Sequence, residues 1–301
     1  MELTKLVNEY LNESKSDYKE KTFFHYKELA KIYLSKDVND LSERGLNRFF
    51  LQNFGSGLSY STIKVLKSIV NRSLMFGKEK KYIQGDAKVT TKFKQTSKPT
   101  VKSFTETELL VLENFILKNK KFYSYGVLIS LYTGLRIGEL LALKWKNVDF
   151  KNKVINVFET KNDITIDHKF KSYDDEPKTA TSNRQIPISK MLLPILQELR
   201  FVFPESEHVV CGRKSDGVFI RAYQDSFSRL LKRLGIRHLG FHSLRHSFAT
   251  RCFHNGMDVK TLSEILGHSS PSITLNIYVH TTFEQKLNSL DMVNERIKQL
   301  R

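Results

Sequence analysis

The sequence predicts a mainly α-helical protein of two domains, with one small antiparallel β-sheet in the second. Three observations carry this. Apolar residues recur at three- and four-residue steps through most of the 301 residues. Between 153 and 189 the pattern changes to alternation of apolar and polar residues, the period of a strand. From Lys88 to Lys102 periodicity vanishes into a Lys-, Thr- and Ser-rich stretch containing Pro99, which reads as an extended basic linker. The expected boundaries are therefore a helical domain over 1–87, a linker over 88–103, and a second domain over 104–301 that ends in a tail helix.

In the first domain, 4–13, 18–35, about 39–53 and about 60–78 each show helical spacing between Ser, Asp or Gly breaks, a four-helix module. In the fourth, Ile63, Leu66, Ile69, Val70 and Leu74 form the buried stripe. Lys64, Lys67, Arg72, Lys78, Lys80 and Lys81 lie on that helix or just after it. Any one of these reads by default as part of a solvated face.

The second domain opens at Phe104 and Thr105-Glu106-Thr107-Glu108, a Thr cap with acidic residues in the first turn. A helix around 122–133 stops at Gly134, the expected left-handed terminator. Arg136 then begins the next helix, with Glu139 three residues on and Leu140 and Leu143 turned to the core. An arginine beside a helix amino terminus adds its donors to free backbone N–H groups and can cradle a phosphate oxygen. Spacing alone favours a plain ion pair with Glu139. Trp145 reads as core.

The strands follow. KVINVFE, DITIDHKF and RQIPIS read as three strands of one sheet, the first two joined by a turn at Lys161-Asn162-Asp163. Between the second and third lies the polar, aperiodic KSYDDEPKTATSN. Ser189 can cap a helix to about Leu199 with Pro194 in its first turns. Another helix covers about 222–234, with Phe227, Leu230, Leu231 and Leu234 inward, Arg229, Lys232 and Arg233 outward, and Gly235 at its end.

The stretch 241–278, FHSLRHSFATRCFHNGMDVKTLSEILGHSSPSITLNIY, concentrates His and Arg beyond any need of a core. His242 and Arg245 share one helix face, and Leu244, Phe248 and Cys252 mark an apolar one. Asn255-Gly256 breaks the helix. Asp258 caps a second, with Val259, Leu262, Ile265 and Leu266 inward and Gly267 at its end. Ser270-Pro271 starts a third that carries Ile273 and Ile277 inward and brings Tyr278 one residue later.

Lys plus Arg number 49 against 32 Asp plus Glu, a net charge of +17, which suits a polyanionic partner. No apolar run reaches the ~18 residues of a membrane span, and MELTKLVNEYLNESK lacks a signal-peptide core, so a cytoplasmic protein is expected. Cys211 and Cys252 sit in apolar surroundings and read as reduced thiols. His242 and His246 at i, i+4 could suggest zinc. The metalloprotease pattern, however, needs Glu directly after the first His, and Ser243 stands there.

HSLRHSFAT, then LGH, then a Tyr ten residues after that His, resembles the C-terminal signature of tyrosine recombinases, the phage-integrase and Xer family. YTGLRIGELLALKWKNVD at 132–149 resembles the family's first arginine motif. The match covers about 104–280; before that only length and helical pattern are similar.

The resemblance implies a two-domain DNA clamp in which 1–87 is the core-binding domain, with Lys64, Lys67, Arg72, Lys92, Lys94 and Lys98 on DNA. It implies catalytic roles for Arg136, Lys178, His242, Arg245, His268 and Tyr278, with Glu139 in support. Tyr278 would attack phosphorus to give a 3′-phosphotyrosine, Arg136 and Arg245 would clamp the nonbridging oxygens, and Lys178 would protonate the leaving 5′ oxygen. Lys161 and Lys171 are rivals of Lys178. His242 would take the tyrosine proton or hold the phosphate, and His268 would position it. Neither metal nor cofactor is implied. The expected partner is double-stranded DNA, bound by a homotetramer on two sites with the tail helix docking in trans, with room for an accessory bending or directionality protein. The chain is expected at the nucleoid.

The lack of an arm-binding domain before the helical module looks Xer-like, while the charged insertion at 160–177 looks like integrases of phages and conjugative transposons. A mobile-element integrase is the leading reading. Xer-type dimer resolution and a type IB topoisomerase are the alternatives with the same chemistry. A noncatalytic DNA-binding regulator is the alternative without it.

Overall fold

The structure is a computed structural model. It describes residues 2–35, 38–55, 57–93, 102–119, 122–166, 169–175, 183–212 and 217–278, together with 287, 290–291, 293–295 and 297–298 of the tail. It divides into two compact units, Met1–Pro99 with Ile164–Lys171, and Thr100–Asp163 with Ser172–Arg301.

In the first unit four helices, α1 (Leu3–Glu13), α2 (Glu20–Tyr33), α3 (Glu43–Phe54) and α4 (Tyr60–Glu79), close over Leu6, Phe23, Phe50, Leu66 and Leu74. The stripe read in the fourth helix is the face α4 buries. Two boundaries differ from expectation. The first break holds a short 3-10 turn over Ser14–Asp17, which delays α2 to Glu20. The third helix begins at Glu43 rather than 39, because the Ser42 hydroxyl accepts the Gly45 N–H at 3.1 Å and so sets the amino-terminal cap there.

Residues 89–91 of the Lys-rich stretch are tied to this unit. The Asn47 carboxamide accepts the backbone N–H groups of Thr90 and Thr91 at 2.9 and 3.0 Å, and Asn71 accepts that of Val89 at 2.7 Å.

In the second unit Thr105 and Glu108 cap α5 (Glu106–Asn119) reciprocally, at 3.2 and 2.7 Å. The almost wholly buried α6 (Tyr125–Thr133) ends at Gly134 with φ 68° and leads through Arg136 to the short α7 (Ile137–Ala142). Trp145 is buried, as read.

The strands are partitioned differently from the single sheet expected. β1 (Val148–Asp149), β2 (Val154–Val157) and β5 (Arg184–Pro187) form one antiparallel sheet in the order β1-β2-β5. β3 (Thr160–Ile166) and β4 (Lys169–Asp175) pair separately. The turn expected at 161–163 is strand. Asp163, a turn former by type, has tertiary partners instead: its carboxylate accepts Ser172 Oγ at 2.9 Å and the Ile220 backbone N–H at 2.7 Å.

Helices α8 (Leu192–Val202) and α9 (Ile220–Arg233) pack the core with Leu192, Leu196, Tyr223, Phe227 and Leu231. Ser189 Oγ accepts the Leu192 N–H at 3.3 Å, so Pro194 falls in the first turn of α8, where its missing N–H costs nothing. Three short helices, α10 (His242–His254), α11 (Val259–Leu266) and α12 (Pro271–Tyr278), complete the unit. A satellite core of Phe248, Ala249, Leu262 and Leu266 joins α10 to α11. No helix among the described residues is long and apolar enough to cross a membrane.

Candidate active site

The carboxyl end of α11 organises the site. Asp258 starts the helix by accepting the Thr261 N–H at 2.9 Å, and Gly267 ends it with φ 64°. A helix end leaves carbonyls without intrahelical donors and carries partial negative charge. Here three consecutive carbonyls each take an arginine. Arg184 Nε donates to Ile265 at 2.6 Å, Arg245 Nη2 to Leu266 at 2.7 Å, and Arg136 Nη2 to Gly267 at 3.3 Å. The three side chains come from β5, α10 and the residue preceding α7.

Arg245 is 3 % exposed and also donates Nη1 to the Gly134 carbonyl at 2.9 Å. Its guanidinium therefore spans two glycine turns, those that end α6 and α11. Arg136 keeps 37 % of its side chain exposed while Nη1 donates to Glu139 Oε1 at 2.8 Å. The ion pair favoured by spacing thus exists, and it leaves an accessible cation.

Glu139 is 5 % exposed and serves two arginines. Arg184 grips it with Nη1 and Nη2 at 3.0 and 2.9 Å, and the Arg136 backbone N–H donates to Oε2 at 2.9 Å. Burial alone would raise the carboxyl, but the hydrogen bonds and charge of Arg184, with Arg136 adding to them, hold it down at about 2. Three guanidiniums on one helix end, with a single carboxylate between two of them, leave a concentrated positive field.

The histidines lie in that field, and burial first and the field second favour their neutral forms. Burial, then Arg245, Arg136 and Arg184, bring the His268 pKa down to about 4. His246 is likewise pushed to about 4 by burial, His242 and Arg245. His242 remains exposed, yet partial desolvation followed by Arg245 and Arg136 lowers it too. The rings of His242 and His246 meet edge to face at 4.6 Å. His268 Nδ1 and the buried Thr274 hydroxyl are 2.8 Å apart, which fixes the orientation of the ring.

Arg136, Glu139, His242, Arg245 and His268 are therefore brought together. Tyr278 is the last residue of α12, and only its backbone is described. Lys178 lies outside the described residues. Of its rivals, Lys161 is buried in β3 with Nζ 3.0 Å from Asp174, and Lys171 is exposed on β4. The inward roles expected of Ile273 and Ile277 also fall on side chains outside the description; among the described side chains of α12 the buried one is Thr274. Among the described residues no group of three or more His, Cys, Asp or Glu could hold a metal ion.

The residues expected on DNA are placed unevenly. Lys64 and Lys92 are exposed, while Lys94 and Lys98 lie outside the described residues. Lys67 donates to the Thr91 carbonyl at 2.7 Å, and Arg72 donates to the Tyr18 hydroxyl at 2.8 Å. Lys78 and Lys80, in the same run, pair with Asp86 and Glu13.

The sequence assigned no role to Arg184. One signal was present: β5 alternates buried and exposed residues, and Arg184 falls in the inward register with Ile186. An arginine there needs a buried acceptor.

Comparison with known proteins agrees with this geometry. Residues 102–285 match the phage integrase family. A tyrosine recombinase XerC-like protein of Caldanaerobacter subterraneus is 29 % identical over 298 residues, covering 90 % of this chain and 76 % of the relative. The ICEBs1 integrase of Bacillus subtilis is 24 % identical over 274 residues, covering 87 % and 73 %. The transposase of transposon Tn916 from Enterococcus faecalis is 29 % identical over 202 residues, 61 % of this chain and 49 % of that one. Among solved structures, the Tn1549 transposon integrase in complex with transposon right end DNA superposes with a TM-score of 0.78 at 24 % identity, covering 98 % of this chain and 100 % of that one. The lambda integrase tetramer bound to a Holliday junction gives 0.70 at 17 % identity, covering 90 % and 79 %. With both motif blocks inside the matched residues, the chain belongs to the phage integrase family and is a tyrosine recombinase, an enzyme that cleaves and rejoins DNA strands.

Proposed function

We propose that the protein is the integrase of a mobile element, acting by a 3′-phosphotyrosine intermediate. The observation that carries the chemistry is the fixing of Arg136 and Arg245 on successive carbonyls of one helix end, with Arg136 still accessible. Two guanidiniums so held are preorganised for the nonbridging oxygens, where charge grows during phosphoryl transfer. The Tyr278 oxygen attacks phosphorus as the bond to the 5′ oxygen breaks. Lys178 gives that oxygen its proton, and His242, neutral at physiological pH, accepts the tyrosine proton or holds the phosphate. Neutral His268 positions the phosphate through Nε2–H, with Nδ1 accepting from Thr274. Glu139 supports Arg136. The phosphotyrosine conserves the bond energy, so a 5′ hydroxyl of a partner strand can reverse the step on new DNA.

The helical domain at 1–87 and the linker at 88–103 would add phosphate contacts through Lys64, Lys67, Arg72, Lys92, Lys94 and Lys98. A homotetramer on two duplexes supplies four such sites, in the cytoplasm, where an accessory bending or directionality protein would set the direction. Exposure of Leu287, Leu290, Val293 and Ile297 supports docking of the tail in a neighbouring protomer. The mobile-element reading draws on the likeness to the ICEBs1 integrase and the Tn916 transposase.

The test mixes two differently labelled duplexes carrying DNA from the flanks of the gene. Joint molecules bearing both labels are the expected result. Relaxation of supercoils without exchange would favour the topoisomerase alternative, and binding without any cleavage the regulator.

A further inference from the structure

Arg184 carries an inference that rests on the reaction just described. It is 9 % exposed. It grips both oxygens of Glu139 at 3.0 and 2.9 Å and donates Nε to the Ile265 carbonyl at 2.6 Å. It also packs beneath the turn that leads to His268. A Cβ added at Gly267 would lie 2.9 Å from Arg184 Cδ, 3.1 Å from Nη1 and 3.2 Å from Nε. Only a residue without a side chain fits over this guanidinium.

Glu139 Oε1 is shared between Arg184 Nη1 and Arg136 Nη1, at 3.0 and 2.8 Å. Arg184 therefore fixes the carboxylate on which Arg136 is aligned. It stands six residues after Lys178, at the first position of β5. It bridges three elements, β5, α7 and α11, at the place where each contributes to the site.

We infer that Arg184 is a positioning residue of the cleavage reaction: through Glu139 and the end of α11 it holds Arg136 in the orientation that neutralises the scissile phosphate. It does not itself touch the substrate. A bidentate fork is required, because a lysine can offer a charge to Glu139 but not two parallel bonds together with a third to Ile265.

Two substrates separate positioning from mere support of the fold. Both are nicked suicide duplexes, one with a normal phosphodiester at the cleaved position and one with a neutral methylphosphonate there. Neutralising one oxygen removes the need for a clamping cation. Arg184→Lys is the main variant, because Arg184→Gln leaves Glu139 undercompensated and can fail to fold. The expected result for Arg184→Lys is a fall of roughly 10- to 100-fold in cleavage of the phosphodiester, with DNA affinity kept and a much smaller fall on the methylphosphonate. The rate ratio between the substrates then moves toward that of Arg136→Ala. An equal fall on both substrates would overturn the inference. A second measurement needs no catalysis: the Arg136 guanidinium N–H signals, whose Nη1 and Nη2 donate to Glu139 and Gly267, should exchange with water faster in Arg184→Lys than in the wild-type protein, and unchanged exchange also overturns the inference. Failure of the wild-type protein to form any adduct would sink the reading of the reaction, while the Arg136 signals still decide the role of Arg184.

Discussion

At the scale of the residue, Glu139 is the point where charge and position meet. It is almost wholly buried between Arg136 and Arg184 and ionised well below its ordinary range. Glu139→Gln keeps the shape and removes the charge, leaving two guanidiniums facing each other. The expected cost is about 3 kcal/mol or more, read from denaturant unfolding. The histidines give a pH dependence with the opposite partner. His246 and His268 fall to about 4 from an ordinary 6.5, so below pH 6.5 the unfolded chain takes up protons that the folded one refuses. Stability is present above 6.5 and is lost as pH falls toward 4, at no more than about 1.4 kcal/mol per pH unit for each ring, and less because both are partly exposed. The melting temperature of His246→Gln should fall less steeply over that window than that of the wild-type protein; identical slopes would contradict the assignment. Arg136, His242, Arg245 and His268 were legible in the sequence because each lies in a short local motif. Arg184 was not, since its partner Glu139 lies 45 residues away and only tertiary pairing reveals it.

At the scale of the element, the turns do the placing. Gly134 and Gly267 both take left-handed φ, and both present carbonyls to arginines. Gly267→Ala would meet the strain of φ 64° and a Cβ against Arg184. A loss of about 1–3 kcal/mol is expected, with a disproportionate loss of cleavage because the same turn delivers His268. Thermal unfolding and adduct yield, compared in one preparation, check this; a stability loss with cleavage intact would separate the turn from the chemistry. These turns, the caps at Thr105 and Asp258, and the stripe of α4 were readable because they depend on residues within one helical turn. The sheets were not. Asn162 and Asp163 look like a turn, whereas both lie in β3, paired with β4, and Asp163 is bonded to Ser172 and Ile220. That left β2 to pair with β5 across the long polar insertion, a choice no local pattern encodes.

At the scale of the whole molecule, the net charge of +17 predicts DNA binding that weakens steeply with salt. Lys64 is exposed on α4, whereas Lys67 and Arg72 spend donors on Thr91 and Tyr18. Lys64→Ala should therefore lower the salt slope of the binding constant by about 1 if it meets a phosphate, while the yield of cleavage from bound complex stays unchanged; an unaltered slope would remove it from the interface. In the proposed reaction the chemistry rests on one hydroxyl, that of Tyr278. The most direct measurement uses a suicide duplex, nicked beside the cleavage point so that the freed strand diffuses away, incubated with the protein in EDTA and run on a denaturing gel. The expected result is a slow-migrating protein–DNA adduct that disappears in Tyr278→Phe and maps to a 3′ phosphate joined to Tyr278. An adduct that survives Tyr278→Phe, or bound DNA that is never cleaved, would contradict it.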